Sequence, residues 1–177
     1  MESDERHRLF CGLRVPGEVV ERVSAWQGRE LRGGRIVPPE NLHLTLAFLG
    51  SQAAGKAPSV AEALRGAARN AGGLRFRLRG YRETRSVGML TFDDVDGQGA
   101  ALAERLGDAL ETLGLYRREA RPWLAHLTVL RFHDRPRLRP PLPELDEVVP
   151  SDAAVFISRL RRDGAQYLVY EAVPLGG

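Results

Sequence analysis

Cysteine and long apolar runs are scarce in this sequence, and each scarcity excludes a class of protein. The 177 residues include one cysteine, Cys11, so the chain can form neither an internal disulfide nor a cysteine-based metal cluster. No apolar run approaches the roughly 18 residues of a membrane span. The charged residues 1–7 lack the apolar segment of a secretory signal. We therefore predict a cytoplasmic protein with no membrane contact and with residues 1–7 as a flexible terminus.

Lysine is also scarce, and Lys56 is the only lysine among the 26 Lys and Arg residues. The net charge of the chain is only +3. The abundant Ala, Gly, Leu and Pro indicate a GC-rich genome, which explains most of the arginines. Arginine also binds phosphate through two parallel hydrogen bonds, which lysine cannot do. The composition is therefore compatible with a phosphate-binding cleft that uses a few of the arginines.

A His-x-Thr pattern occurs twice and is the main functional signal. Alternation in a strand from Asn41 to Leu49 places His43 and Thr45 on one face. The opposite, apolar face would then carry Leu42, Leu44, Leu46 and Phe48. The segment 125–131 places His126 and Thr128 on one face in the same way. One copy alone is best explained by local hydrogen bonds within a strand, whereas two copies with similar flanks favour a shared site.

Two histidines beside two hydroxyls suit the cleavage of a phosphodiester. In-line displacement needs one group to assist the nucleophile and another to assist the leaving oxygen, and imidazole can fill either role near neutral pH. A threonine hydroxyl on the same strand face could donate to a non-bridging phosphoryl oxygen as negative charge develops. We expect His43 and His126 to be catalytic and Thr45 and Thr128 to bind substrate.

The motifs and their flanks resemble the 2H phosphoesterase superfamily, and within it the bacterial and archaeal RNA 2′,3′-cyclic phosphodiesterases, also called 2′-5′ RNA ligases. The similar segments are 8–10, 35–46, 121–122, 126–131 and 164–167. The similarity extends from about residue 8 to residue 175. Cys11, Gly12 and Leu130 depart from the family pattern, as do Ile157 and Ser158.

The resemblance implies hydrolysis of RNA ends or small nucleotides that carry a 2′,3′-cyclic phosphate, leaving a 2′-phosphate, with reversal giving a 2′-5′ ligation. It implies no cofactor, no metal and no obligatory protein partner, and we expect a monomer. We assign His126 as general base and His43 as general acid, although a pseudo-symmetric site permits either orientation. The family match adds Arg131 as a substrate-binding residue. In a regular strand Arg131 would share the face of Val129, so it needs a bulge or a strand end to reach the phosphate.

The predicted fold class is α+β, with two pseudo-symmetric lobes of antiparallel sheet, helices outside, and a central cleft that carries the two His-x-Thr strands. Strand, helix and motif strand recur in residues 9–49 and 86–131, which indicates an internal duplication. We predict one bilobal domain over residues 1–177. Residues 50–55 and the Arg- and Pro-rich residues 132–144 are predicted loops, and residues 161–164 a hairpin turn.

Two other functions remain open at this point. The chain could be a non-catalytic nucleotide- or RNA-binding module of the same fold, although both motifs are intact. It could also be a metallohydrolase that uses His43, His126 and an aspartate. The acidic residues 93–96 are better explained by turn and helix-capping chemistry than by metal binding.

Overall fold

The computed structural model describes residues 4–176, whose helices and strands alternate along most of the chain. Their bounds are β1 Arg6–Arg14, α1 Gly17–Glu30, β2 Arg35–Ile36, β3 His43–Ala53, α2 Ala57–Ala68, β4 Phe76–Glu83, β5 Val87–Asp94, α3 Gln98–Thr112, β6 His126–Arg131, β7 Asp152–Arg161 and β8 Gly164–Val173. Short 3-10 turns cover Pro39–Asn41 and Ala54–Lys56. No helix in residues 4–176 is both long and apolar enough to cross a membrane.

All eight strands join one antiparallel sheet, in the order β4-β5-β6-β3-β1-β7-β8, with β2 paired to β6. The two motif strands, β3 and β6, are neighbours at its centre, joined where Leu44 faces Leu127. Beyond this pair β2 takes the place of β3 beside β6, with Ile36 opposite Leu130. The motif strands therefore separate after a short contact, which opens a cleft between them. The predicted α+β class with antiparallel strands is confirmed.

The sheet has an approximate two-fold arrangement about its centre. β1, α1 and β3 follow one another in the first half, and β5, α3 and β6 do so in the second. β1 pairs with β3 and β5 pairs with β6, each on the outer side of its motif strand. The structure thus agrees with the internal duplication inferred from the sequence.

The helices pack their apolar residues against one face of the sheet. The buried helical side chains are Val19, Val23 and Trp26 of α1, Val60 and Leu64 of α2, and Leu102, Leu106 and Leu110 of α3. They form one cluster with the buried strand residues Leu44 and Leu127. Alternation in the strands then directs the motif histidines to the opposite face. The core therefore fixes the strands while the site stays open on the other side.

A β-bulge in each motif strand changes which side chains share its face. In β6 the pairing with β5 shifts between Thr128 and Leu130, so Val129 is the extra residue. In β3 the pairing with β1 shifts between Thr45 and Ala47, so Leu46 is the extra residue. Each bulge lies three residues after its histidine and reverses the alternation beyond it.

The bulges correct one sequence-based expectation and meet the condition set by another. Phe48 was expected on the apolar, buried face, but Ala47 is buried there and Phe48 is 51% exposed. Arg131 needed a bulge to reach the site, and the one at Val129 provides it. The predicted loop at residues 50–55 is also wrong in part, because β3 continues to Ala53.

The N-terminal prediction needs a similar correction. β1 begins at Arg6, so residues 6 and 7 belong to the sheet and not to a flexible terminus. Residues 1–3 lie outside the described part.

The Asp94 carboxylate accepts hydrogen bonds from the backbone N–H groups of Gly99 and Ala100 at the start of α3. Helix capping is therefore the observed role of this acidic segment, as expected.

The Arg- and Pro-rich segment 132–144 is irregular and is anchored by one carboxylate. Glu83 has a side chain only 2% exposed, and it accepts hydrogen bonds from the backbone N–H groups of Arg137 and Leu138, the Tyr81 hydroxyl and the Arg135 guanidinium. Burial acts to raise the pKa of Glu83, but these hydrogen bonds outweigh it and hold the pKa below its usual value. The ionised carboxylate thus fastens the segment to β4.

We expect Glu83→Gln to lower the free energy of unfolding by about 2 kcal/mol, because an amide NH₂ would face donors that now share a buried carboxylate. Urea unfolding followed by circular dichroism measures the change. Glu104→Gln removes a charge from an exposed position and is the matched control. Equal stability of the two variants would show that the Glu83 interactions contribute little.

Candidate active site

Both motif histidines are held in the same way. The Nδ1 of His43 lies 2.7 Å from the carbonyl oxygen of Asn41, and the Nδ1 of His126 lies 2.9 Å from that of Leu124. A carbonyl can only accept, so each Nδ1 carries the proton and donates it. Each Nε2 is then the atom available for chemistry, and the two rings present equivalent atoms from two equivalent strands.

Thr45 contacts the histidine of its own motif. Its Oγ1 lies 2.9 Å from His43 Nε2, and with Nδ1 protonated on a neutral ring the hydroxyl donates to Nε2. The strand is fixed here because Trp123 Nε1 donates to the Thr45 carbonyl oxygen. The antiparallel pair of Leu44 with Leu127 also places His43 across from Thr128 and Thr45 across from His126. The four side chains therefore meet at the centre of the sheet.

The environment of His43 favours its neutral form. Burial is the main cause, and the nearby charges of His126 and Arg131 act in the same direction, while the hydrogen bond to Asn41 opposes them. Together they lower the pKa of His43 to about 4. Its ring centroid lies 4.8 Å from that of Phe10 and 5.5 Å from that of Tyr167, so much of the wall around it is apolar. Near neutral pH this environment therefore favours the neutral imidazole of His43.

A cavity of about 540 Å³ opens over this centre. Four of the five site residues predicted from sequence line it, namely His43, Thr45, Thr128 and Arg131. His126 is not among its lining residues, although it is close enough to His43 to affect its pKa. The structure thus brings all five predicted residues into one region, with His126 at its edge.

The sequence reasoning missed several residues of the cavity wall. Phe10 and Tyr167 flank His43, and Phe10 stacks with Phe156 while Tyr167 meets Phe10 edge-on. Phe48 reaches the cavity through the bulge at Leu46. The Arg8 guanidinium lies 5.5 Å from the centre of the Phe48 ring. The segments that resemble the family contain Arg8, Phe10 and Tyr167, but no pattern in the sequence marks their side chains as part of the site.

A metal site needs several ligand side chains close together. Within residues 4–176 there is no group of three or more His, Cys, Asp or Glu residues that could hold a metal ion. The polar groups nearest the motif histidines are the two threonine hydroxyls, backbone carbonyls and Arg131. These groups suit an anionic oxygen ligand because the hydroxyls and the guanidinium are donors.

Comparison with known proteins identifies relatives with this architecture. The family model described as "LigT like Phosphoesterase" matches residues 13–86. A curated RNA 2′,3′-cyclic phosphodiesterase of Thermus thermophilus is 33% identical, and the match covers 96% of this chain and 91% of the relative. The Escherichia coli RNA 2′,3′-cyclic phosphodiesterase is 43% identical over a shorter match, 29% of this chain and 31% of the relative.

Solved structures give the same fold over the whole chain. A crystal structure of a Thermus thermophilus protein is 30% identical, with a TM-score of 0.81 and coverage of 96% of this chain and 98% of the other. Escherichia coli LigT in complex with 3′-AMP, 23% identical, matches with a TM-score of 0.82 and coverage of 98% and 100%. Because the similarity to the curated Thermus relative extends over nearly the full length of both chains, this protein belongs to the LigT-like phosphoesterase family of 2H phosphoesterases.

Proposed function

We propose that this protein hydrolyses RNA 2′,3′-cyclic phosphate ends to 2′-phosphates without a metal ion, using His43 and His126 as an acid/base pair. The observation that carries the proposal is the equivalent anchoring of two neighbouring rings, Nδ1 to a backbone carbonyl in both, which leaves each Nε2 for chemistry. Two relatives known as RNA 2′,3′-cyclic phosphodiesterases support the substrate class.

The threonines and Arg131 bind the phosphoryl group in this mechanism. When substrate binds, the Thr45 hydroxyl turns from His43 Nε2 and donates to one non-bridging oxygen of the phosphoryl group. The Thr128 hydroxyl, on the facing strand, donates to the other non-bridging oxygen. Arg131, turned to this face by the bulge at Val129, donates to the same oxygens. These donors stabilise the charge that accumulates on phosphorus oxygens in the transition state.

His126 removes a proton from the attacking water and His43 donates one to the departing 3′ oxygen. Without substrate the pKa of His43 is about 4, which disfavours the protonated acid near neutral pH. A phosphate anion within about 4–6 Å raises a histidine pKa by about 1–3 units, so bound substrate favours uptake of a proton from solvent by His43. The reverse reaction would join a 5′-hydroxyl to the cyclic phosphate as a 2′-5′ linkage.

The test is hydrolysis of a short RNA that ends in 2′,3′-cyclic phosphate, in excess chelator, with the product identified as 2′- or 3′-phosphate. We expect an undiminished rate and a 2′-phosphate, because every proposed role is filled by a protein side chain. A chelated enzyme that is inactive and regains activity with Zn²⁺ or Mn²⁺ would contradict the metal-independent mechanism. Tight binding of the RNA without turnover would favour the non-catalytic nucleotide- or RNA-binding module.

Three predictions made from the sequence stay predictions. They are the monomeric state, the cytoplasmic location and the single bilobal domain over residues 1–177. Gel filtration with light scattering measures the first of these directly.

A further inference from the structure

The cavity above the motif histidines has more positive charge than one cyclic phosphate needs. Four arginines line it, namely Arg8, Arg35, Arg131 and Arg161, against one carboxylate, Asp163. Within residues 4–176 none of the four forms an ion pair with a carboxylate, whereas surface arginines such as Arg75 and Arg118 do so.

Arg35 and Arg131 stand directly opposite each other on paired strands. They are register partners in the β2–β6 pair, so their side chains leave the same face. Like charges in this position destabilise a sheet unless something neutralises them. An anion in the cavity is the group that can do so, and Arg131 is already assigned to the reacting phosphoryl group.

The Arg35 side chain extends away from the histidines, toward the hairpin between β7 and β8. The Arg35 guanidinium lies against the turn at Gly164. Its Nη1 is 3.0 Å from the position that a Cβ atom would take on this glycine. Arg161 lies at the same hairpin and contributes to the same cavity wall. The hairpin is itself tied to the start of β3, because Asn41 Nδ2 donates to the Ala165 carbonyl oxygen. Arg35 and Arg161 thus form a second cationic position on a fixed part of the wall.

We propose that Arg35 and Arg161 bind the internucleotide phosphate that precedes the terminal nucleotide. The substrate is then an oligonucleotide end and not a free nucleoside 2′,3′-cyclic monophosphate. Arginine suits this role because its fork donates two hydrogen bonds to one phosphate. This inference rests on the proposed function, since it concerns the same site and names its substrate class.

The experiment compares three substrates: adenosine 2′,3′-cyclic monophosphate, the dinucleotide ApA ending in 2′,3′-cyclic phosphate, and the same dinucleotide with an uncharged methylphosphonate linkage. We expect kcat/KM to be at least about tenfold higher for the charged dinucleotide, the range of one charge-assisted hydrogen bond. The methylphosphonate should lose that advantage. Added salt should reduce this advantage. A plot of the logarithm of the kcat/KM ratio against the logarithm of the salt concentration should fall with a slope of about 0.7 per phosphate contact.

Arg35→Gln and Arg161→Gln should each lower the ratio of kcat/KM for the charged dinucleotide to that for the mononucleotide by about tenfold. Arg162→Gln removes a charge from the same turn but not from the cavity wall, so the ratio should not change. Having two subsite variants keeps the test valid if one fails to fold.

An equal kcat/KM for charged and uncharged dinucleotides would overturn the second phosphate position while leaving the proposed function intact. An unchanged ratio in both subsite variants would do the same. If no substrate is hydrolysed, the proposed function fails, and the subsite is then measured by fluorescence anisotropy with 5′-labelled ApA 2′-phosphate. Equal dissociation constants for the charged and methylphosphonate forms would overturn it in that case.

Discussion

His43→Ala and His126→Ala should each lower the rate of cyclic phosphate hydrolysis by about 10²- to 10⁴-fold, which is the usual contribution of a positioned acid or base. The two rings are anchored in the same way through Nδ1, and the proposed mechanism gives each Nε2 a different proton transfer, so the loss of either ring removes one of them. Single-turnover hydrolysis of a cyclic-phosphate RNA measures the chemical step. A near-normal rate in either variant would refute the assigned site.

The two remaining histidines provide matched controls. His7 lies at the start of β1 with Nε2 against Glu5, and His133 is exposed in the irregular segment after β6. Neither belongs to a His-x-Thr motif. Alanine at either position should change the rate by less than tenfold, or about 1.4 kcal/mol of activation free energy.

A substrate with sulfur in place of the 3′ bridging oxygen separates the two roles. A thiolate leaves without protonation, so the variant that lacks the acid should recover most of its activity while the variant that lacks the base should not. We expect recovery in His43→Ala and not in His126→Ala. The opposite pattern would reverse the assignment and leave the two-histidine mechanism in place.

The pH dependence of kcat/KM should be a bell with an unusually low acid limb. The reaction needs one neutral and one protonated imidazole, so activity falls when both are protonated and when both are neutral. The pKa of His43 is lowered to about 4 in the empty cleft, against about 6.5 for a free imidazole. We therefore expect activity to persist down to about pH 4 and then to fall about tenfold per unit. The limbs belong to the pair and not to one residue.

Acid unfolding must be separated from this limb. The pKa of Glu83 is lowered in the folded protein, so its stabilising contribution is present above its ordinary pKa and is lost as the pH falls through the lowered value. Circular dichroism at each pH identifies the folded range. A rate that rises steadily into alkali in a folded protein would show that no titrating acid is needed. The two-histidine mechanism would then be wrong.

The sequence by itself determined the family and much of the architecture. His-x-Thr repeats in strands of alternating polarity predict two faces, and the flanks predict the family, because both depend on residues close together in the chain. The helix within each of the repeats 9–49 and 86–131 was predicted for the same reason, since helical spacing of apolar residues is local information. The recurrence of strand, helix and motif strand then indicated the pseudo-symmetric halves.

Only the tertiary structure decided which side chains line the cleft. The bulges at Leu46 and Val129 turn Phe48 and Arg131 into the cleft, and a bulge depends on how a strand pairs with its neighbour. The position of Arg35 opposite Arg131 likewise follows from pairing between segments almost a hundred residues apart. The low pKa of His43 arises from burial and from charges on another strand. Each of these depends on contacts between distant segments, which periodicity along one segment does not encode.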